Sequence, residues 1–133
     1  MRADELMIGN WAFYAGEEER LKNKPIRVTG IGPDYMQGSF WNGVSDEVVV
    51  LSYKEIKPIP IDVDILEANG WRKKKERLYD LEGRLIEKSG TTWYMYVSEK
   101  AMLRYDPISI MYYVHELQNL LRVTNYGKAE IKL

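Results

Sequence analysis

No helical run of useful length fits between the turn signals from Trp11 to Ile61, which restricts this part of the chain to short strands. Trp11 to Ala15 reads as a first strand, and a charged loop opens at Gly16-Glu17-Glu18-Glu19-Arg20. Pro25 to Ile31 alternates, with Ile26 and Val28 on one face and Arg27, Thr29 and Ile31 on the other, as a half-buried strand does. Gly32-Pro33-Asp34 breaks it. Asn42-Gly43 suits the positive φ angles of a tight hairpin, and Glu47 to Ser52 follows with the β-branched run Val48-Val49-Val50. Tyr53 to Ile56 has room for one tight turn, and Lys57 to Ile61, with its two prolines, reads as an extended edge segment. A β-barrel-like unit is therefore expected over residues 1–61, and in architecture alone it resembles the small SH3-like barrel.

Residues 62–133 are expected to form an α+β unit, an antiparallel sheet with two short helices, packed with the first unit. The first helix runs from Asp62 to Asn69, with Asp62 as N-cap and Asp64 and Glu67 toward the positive end of the dipole. Gly70 stands at the left-handed C′ position, and Trp71 follows at C″ above Leu66. Strands are expected over Leu78 to Glu87, interrupted at Glu82-Gly83, then Thr91 to Val97, Ala101 to Tyr105 and Ile108 to Val114. Thr92, Tyr94 and Tyr96 share one face and Trp93, Met95 and Val97 the other, so each face needs a cover. The second helix, from His115 to about Thr124, repeats Leu117, Leu120, Leu121 and Thr124 at helical spacing. Asn125-Tyr126-Gly127 is expected to end it, and Ala129 to Leu133 to form a last strand.

The residue inventory narrows the chemistry. One histidine, His115, and no cysteine exclude thiol nucleophiles, Cys/His zinc sites and two-histidine metal centres. Lys plus Arg number 19 against 20 Asp plus Glu, so no global field draws the chain to phosphates or anionic lipid. The acidic N-terminus lacks the apolar run of a signal peptide, no stretch approaches a membrane span, and the missing cysteines suit a reducing compartment, so a cytoplasmic address without membrane contact is expected.

Three pieces of the chain carry a resemblance: Leu6 with Gly9-Asn10-Trp11, Ile56 to Ile61 leading to Ile65-Leu66 and Gly70-Trp71, and Tyr113-Val114-His115-Glu116-Leu117-Gln118-Asn119-Leu120 with Glu130 to Leu133. Together they resemble a family of small bacterial proteins often encoded in prophage-like regions, for which no activity is known. The resemblance implies a compact protein of mobile-element origin. It supplies no catalytic or binding residues to carry over.

Several residues invite a functional reading. His115 beside Glu116 suggests a catalytic or metal role, but a histidine at a strand-to-helix junction is more simply satisfied by the backbone, and no second histidine is at hand. Gln118 and Asn119 are expected to tie the helix to neighbouring backbone. Asp62, Asp64 and Glu67 offer oxygen ligands at short spacing, yet capping already uses Asp62. Gly30-Ile31-Gly32 lacks the remainder of a dinucleotide fingerprint. Neither a metal nor a cofactor is expected, and the chain reads as a non-enzyme. Ten tyrosines and four tryptophans instead favour a binding or assembly module that meets a protein partner or itself through Tyr94, Tyr96, Tyr112 and Tyr113. The alternative is a nucleic-acid-associated accessory protein that grips single strands through Trp71, Arg72, Lys73, Lys74, Lys75 and Arg77.

Overall fold

Strand alternation builds the first sheet as the sequence pattern requires. In the computed structural model, which describes residues 1–124 and 130–133, the strands are β1 (Trp11–Tyr14), β2 (Pro25–Ile31), β3 (Tyr35–Trp41), β4 (Asp46–Ser52) and β5 (Ile56–Lys57). They form one antiparallel sheet in the order β4-β3-β2-β1-β5, curled into a half-barrel. A single 3-10 turn at Tyr53–Glu55 links β4 to β5. The segment from Asp34 to Trp41 thus supplies β3, paired along its full length with β4.

The inward positions Ala12, Tyr14, Ile26, Val28, Met36, Phe40, Leu51 and Ile56 make the core of this sheet with Leu6 and Leu21. On the inner face Ile26 leans across the β2–β3 pair, so a Cβ placed on Gly38 would collide with Ile26 Cγ2. A register shift between Val28 and Gly30 adds the local twist that a bulge confers. The turn from β3 to β4 falls where Asn42-Gly43 places it but spans residues 42–45, and of the two only Gly43 takes a positive φ, 101°; Asn42 instead accepts the N–H groups of Val44 and Ser45 on Oδ1 at 2.8 and 2.9 Å.

Contacts divide the chain into two units, Met1–Ile59 with Leu133, and Pro60–Lys132. The second unit contains a meander in the order β10-β9-β8-β7-β6, with β6 (Arg72–Lys75), β7 (Leu78–Leu81), β8 (Arg84–Ser89), β9 (Thr92–Tyr96) and β10 (Ser109–Met111). Glu82 and Gly83 turn between β7 and β8 at φ 51° and 90°. Helix α1 (Val63–Ala68) has the ends its sequence specifies: Asp62 Oδ1 accepts the Ile65 N–H at 2.8 Å, Gly70 takes φ 89°, and the Gly70 and Trp71 N–H groups donate to Glu67 and Leu66 in a Schellman stop.

Two expectations are corrected. Ala101 to Tyr105 is not a strand; Glu99–Leu103 is helix α2, started by Ser98 Oγ, which accepts the Ala101 N–H at 3.2 Å. With α3 (Val114–Val123), the described residues of this unit hold three helices where two were expected. Residues from Glu130 to Leu133 are not a strand; Lys132 is tied instead to the Asn69 side chain, its N–H donating to Oδ1 at 2.6 Å and its carbonyl accepting from Nδ2 at 2.8 Å. The expected stop at Asn125 to Gly127, and Ala129, lie outside the described residues. The class itself stands: mixed and strand-dominated, in two antiparallel sheets.

Each face of the second sheet carries a buried apolar cluster. Leu78, Leu85 and Tyr96 cluster with Tyr94 and with Ala101 and Met102 of α2. Tyr79, Ile86, Trp93, Met95 and Met111 are buried on the opposite face.

Candidate functional site

Strand register, rather than sequence proximity, assembles the charged surface of the second unit. Lys73 lies opposite Tyr79, Tyr79 opposite Ile86, and the two-residue strand period carries that face on to Lys88, opposite Trp93. Lys73, Arg77 and Lys88 come round a hollow of about 410 Å³, with Glu76 as its one carboxylate. Arg77 occupies the β6–β7 turn at φ 65°, and its carbonyl accepts the Lys88 N–H at 2.9 Å. Lys88 Nζ stands 5.7 Å from the Trp93 ring centroid, and Tyr79 meets Trp93 edge-on at 6.1 Å. Among the described residues none of the three cations has a carboxylate partner.

The basic run predicted from sequence divides between this hollow and open surface. Lys73 and Arg77 line the hollow; Arg72, Lys74 and Lys75 are exposed on β6, with Lys74 Nζ 3.7 Å from Glu99 Oε2. Trp71 does not join them, because it is only 2% exposed. Trp93 and Tyr79 are buried too, so no flat ring is offered to a base. Lys88 was not singled out from sequence. Its alternation was visible, but its neighbours across the sheet were not.

The four tyrosines expected to make contacts fall in two places. Tyr94 and Tyr96 belong to the cluster beneath α2, where Tyr96 is 5% exposed, and burial raises its phenol above the ordinary value of 10.0. Tyr112 and Tyr113 are exposed at the entry to α3, with ring centroids 6.2 Å apart. His115 is buried and stacks on Tyr113 at 5.8 Å, the planes 11° apart. Glu116 Oε1 accepts the N–H groups of both Tyr112 and Tyr113 at 3.0 Å, as the third helical residue of a capping box does. Glu116 thus caps a helix start. Asp62 is likewise occupied by its cap, and among the described residues no three histidine or carboxylate side chains gather as a metal group would require.

The first unit presents a different kind of surface. β4 ends its sheet, paired with β3 alone, and its outward side chains Val48 and Val50 are 62% and 65% exposed beside the exposed Tyr35 and Trp41 of β3. The Asn42 N–H donates to the Ser45 carbonyl, so the 42/45 pair is hydrogen-bonded. Ladder alternation then makes 40/47, 38/49 and 36/51 the bonded pairs, which leaves the backbone groups of Asp46, Val48, Val50 and Ser52 directed away from β3. The Ser52 N–H is taken by Glu55 Oε1 at 3.0 Å. Glu47, on the inner side, accepts from Asn42 Nδ2 at 3.2 Å and from the Arg20 guanidinium. These two contacts, that of Asn42 first, hold its carboxyl below the usual range, while Glu18 and Glu47 raise Arg20.

No helix among the described residues is long and apolar enough to cross a membrane. Comparison with known proteins finds no matching family model, no matching curated protein and no matching solved structure.

Proposed function

We propose that the chain is a non-enzymatic binding or assembly module, acting in the cytoplasm as part of a prophage-like element, with an SH3-like unit as its docking domain. The strand order β4-β3-β2-β1-β5 with a 3-10 turn before the closing strand supports the SH3-like reading. The cysteine-free composition supports a reducing compartment, and the Val114-His115-Glu116-Leu117-Gln118-Asn119 string supports the prophage-like one. One observation carries the functional reading: β4 is an edge strand seven residues long that exposes valines and contains no lysine, proline or bulge. Edges of that kind are templates for another chain. Size-exclusion chromatography with light scattering, on the chain alone and mixed with host extract, compares the wild type with Val48→Lys/Val50→Lys. A complex formed by the wild type and lost in the variant is expected. A wild type that stays monomeric in both samples, or a variant that associates as well, counts against the reading.

A second reading, nucleic-acid binding through residues 72–77 without the buried Trp71, is favoured by the exposed β6 side chains and the three cations around the hollow. It expects affinity for single-stranded oligonucleotides that falls steeply with salt and is lost in Lys73→Glu/Lys74→Glu/Lys75→Glu. Fluorescence anisotropy at low salt with no binding removes it.

A further inference from the structure

We infer that the occupant of the β4 edge is a second copy of this chain, paired strand to strand in antiparallel register about Val49. The inference rests on β4 being the docking edge, and the four sheet margins among the described residues differ sharply. β6 carries Arg72, Lys73, Lys74 and Lys75 and a register shift between Lys73 and Lys75. β10 has three residues, and just beyond it Pro60 and Ile61 pair with Tyr113 and Tyr112. β5 has two residues, followed by Pro58, and the N-terminal ammonium donates to the Ile56 carbonyl at 3.5 Å. Charge, bulges, proline and brevity are the means by which edges are kept from pairing. β4 has none of them along its centre, and its charges, Asp46 and Glu47, sit together at one end.

That distribution of charge fits a second β4 and selects its register. A partner strand must meet the outward backbone groups of Val48 and Val50, so the two strands can slide only in steps that keep even-numbered residues opposed. Centring on Val49 alone pairs all seven residues. Val48 then faces Val50 in both directions, Asp46 faces Ser52, Glu47 faces Leu51, and no like charges are opposed. The acidic end of each strand meets the Ser52–Lys54 end of the other, and Glu47 is already compensated by Arg20 and Asn42. The pairing adds about six backbone hydrogen bonds and sets the four exposed valines side by side on the outer face. The Ser52 N–H keeps its bond to Glu55 throughout.

A chain without cysteine makes the register directly testable. Opposed Val49 residues form a non-hydrogen-bonded pair with Cα atoms about 4.5 Å apart, inside the disulfide range, whereas two Val48 residues lie on the diagonal at about 7–8 Å, outside it. Mild oxidation of purified Val49→Cys is expected to give a covalent dimer, with Val48→Cys lagging well behind. Light scattering on the unmodified chain is expected to give twice the 15.6 kDa of one copy, and Val50→Lys to return it to one. An unmodified chain of single-copy mass, or a Val48→Cys that cross-links as fast as Val49→Cys, overturns the inference. If the purified chain is monomeric yet Val48→Lys/Val50→Lys abolishes a complex in host extract, self-pairing fails while the docking edge stands.

Discussion

Gly38 shows how much one hydrogen atom in place of a methyl group decides. Its inward position faces Ile26 Cγ2, with Met36 Cε at 3.2 Å and the Arg27 carbonyl at 3.3 Å beyond it; the methionine tip can yield, but the stiff β-branched side chain and the backbone cannot withdraw from an added Cβ. Gly38→Ala is expected to cost roughly 1–3 kcal/mol by overpacking, seen as a lower urea midpoint with an unchanged slope. Tyr96 tests burial in another way. Its folded-state pKa is raised, so the protonated phenol is favoured by the fold. That contribution is complete below the unfolded value near 10 and is lost as pH climbs through the higher folded value. Urea midpoints followed from neutral to strongly alkaline pH should fall more steeply for the wild type than for Tyr96→Phe.

Among the elements, α1 was legible from its own residues because its signals are local. Asp62, Gly70 and Trp71 act within one turn of the helix, and the observed bonds are the ones their spacing implies. Asp62→Ala should cost about 1 kcal/mol, and Gly70→Ala, which forces a Cβ into left-handed backbone, a similar amount, both measurable by thermal or urea unfolding. α2 was not legible in this way. Ala101-Met102-Leu103-Arg104-Tyr105 is too short for periodicity to separate helix from strand, and a helix of five residues is held by packing rather than propensity. Ser98 caps it locally, but what holds it is non-local: Ala101 and Met102 cover Leu78, Leu85 and Tyr96, a sheet face that would otherwise be open. The same distinction governs the candidate surfaces. The basic run was evident in the sequence, but Lys88 joins Lys73 only through the pairing of three strands. That Val48 to Val50 form a strand was also evident, whereas the bare margin belongs to the topology.

For the whole molecule, charge separates the two functional readings. With 19 basic and 20 acidic residues there is no long-range field to screen, and a contact made of backbone groups and valines has little electrostatic component. Dimer dissociation followed by sedimentation should therefore change little between low and physiological salt. A grip through Lys73, Arg77 and Lys88 should weaken by orders of magnitude over a comparable range if several phosphates are contacted.

A single bare margin among the described residues also limits how large an assembly can grow. A strand that joins its own twin uses up the adhesive side of both molecules, and the remaining margins are guarded by basic side chains, a proline or shortness. Under the proposed self-pairing, growth would stop at the two-fold pair and the valine-rich run would be closed to further strands.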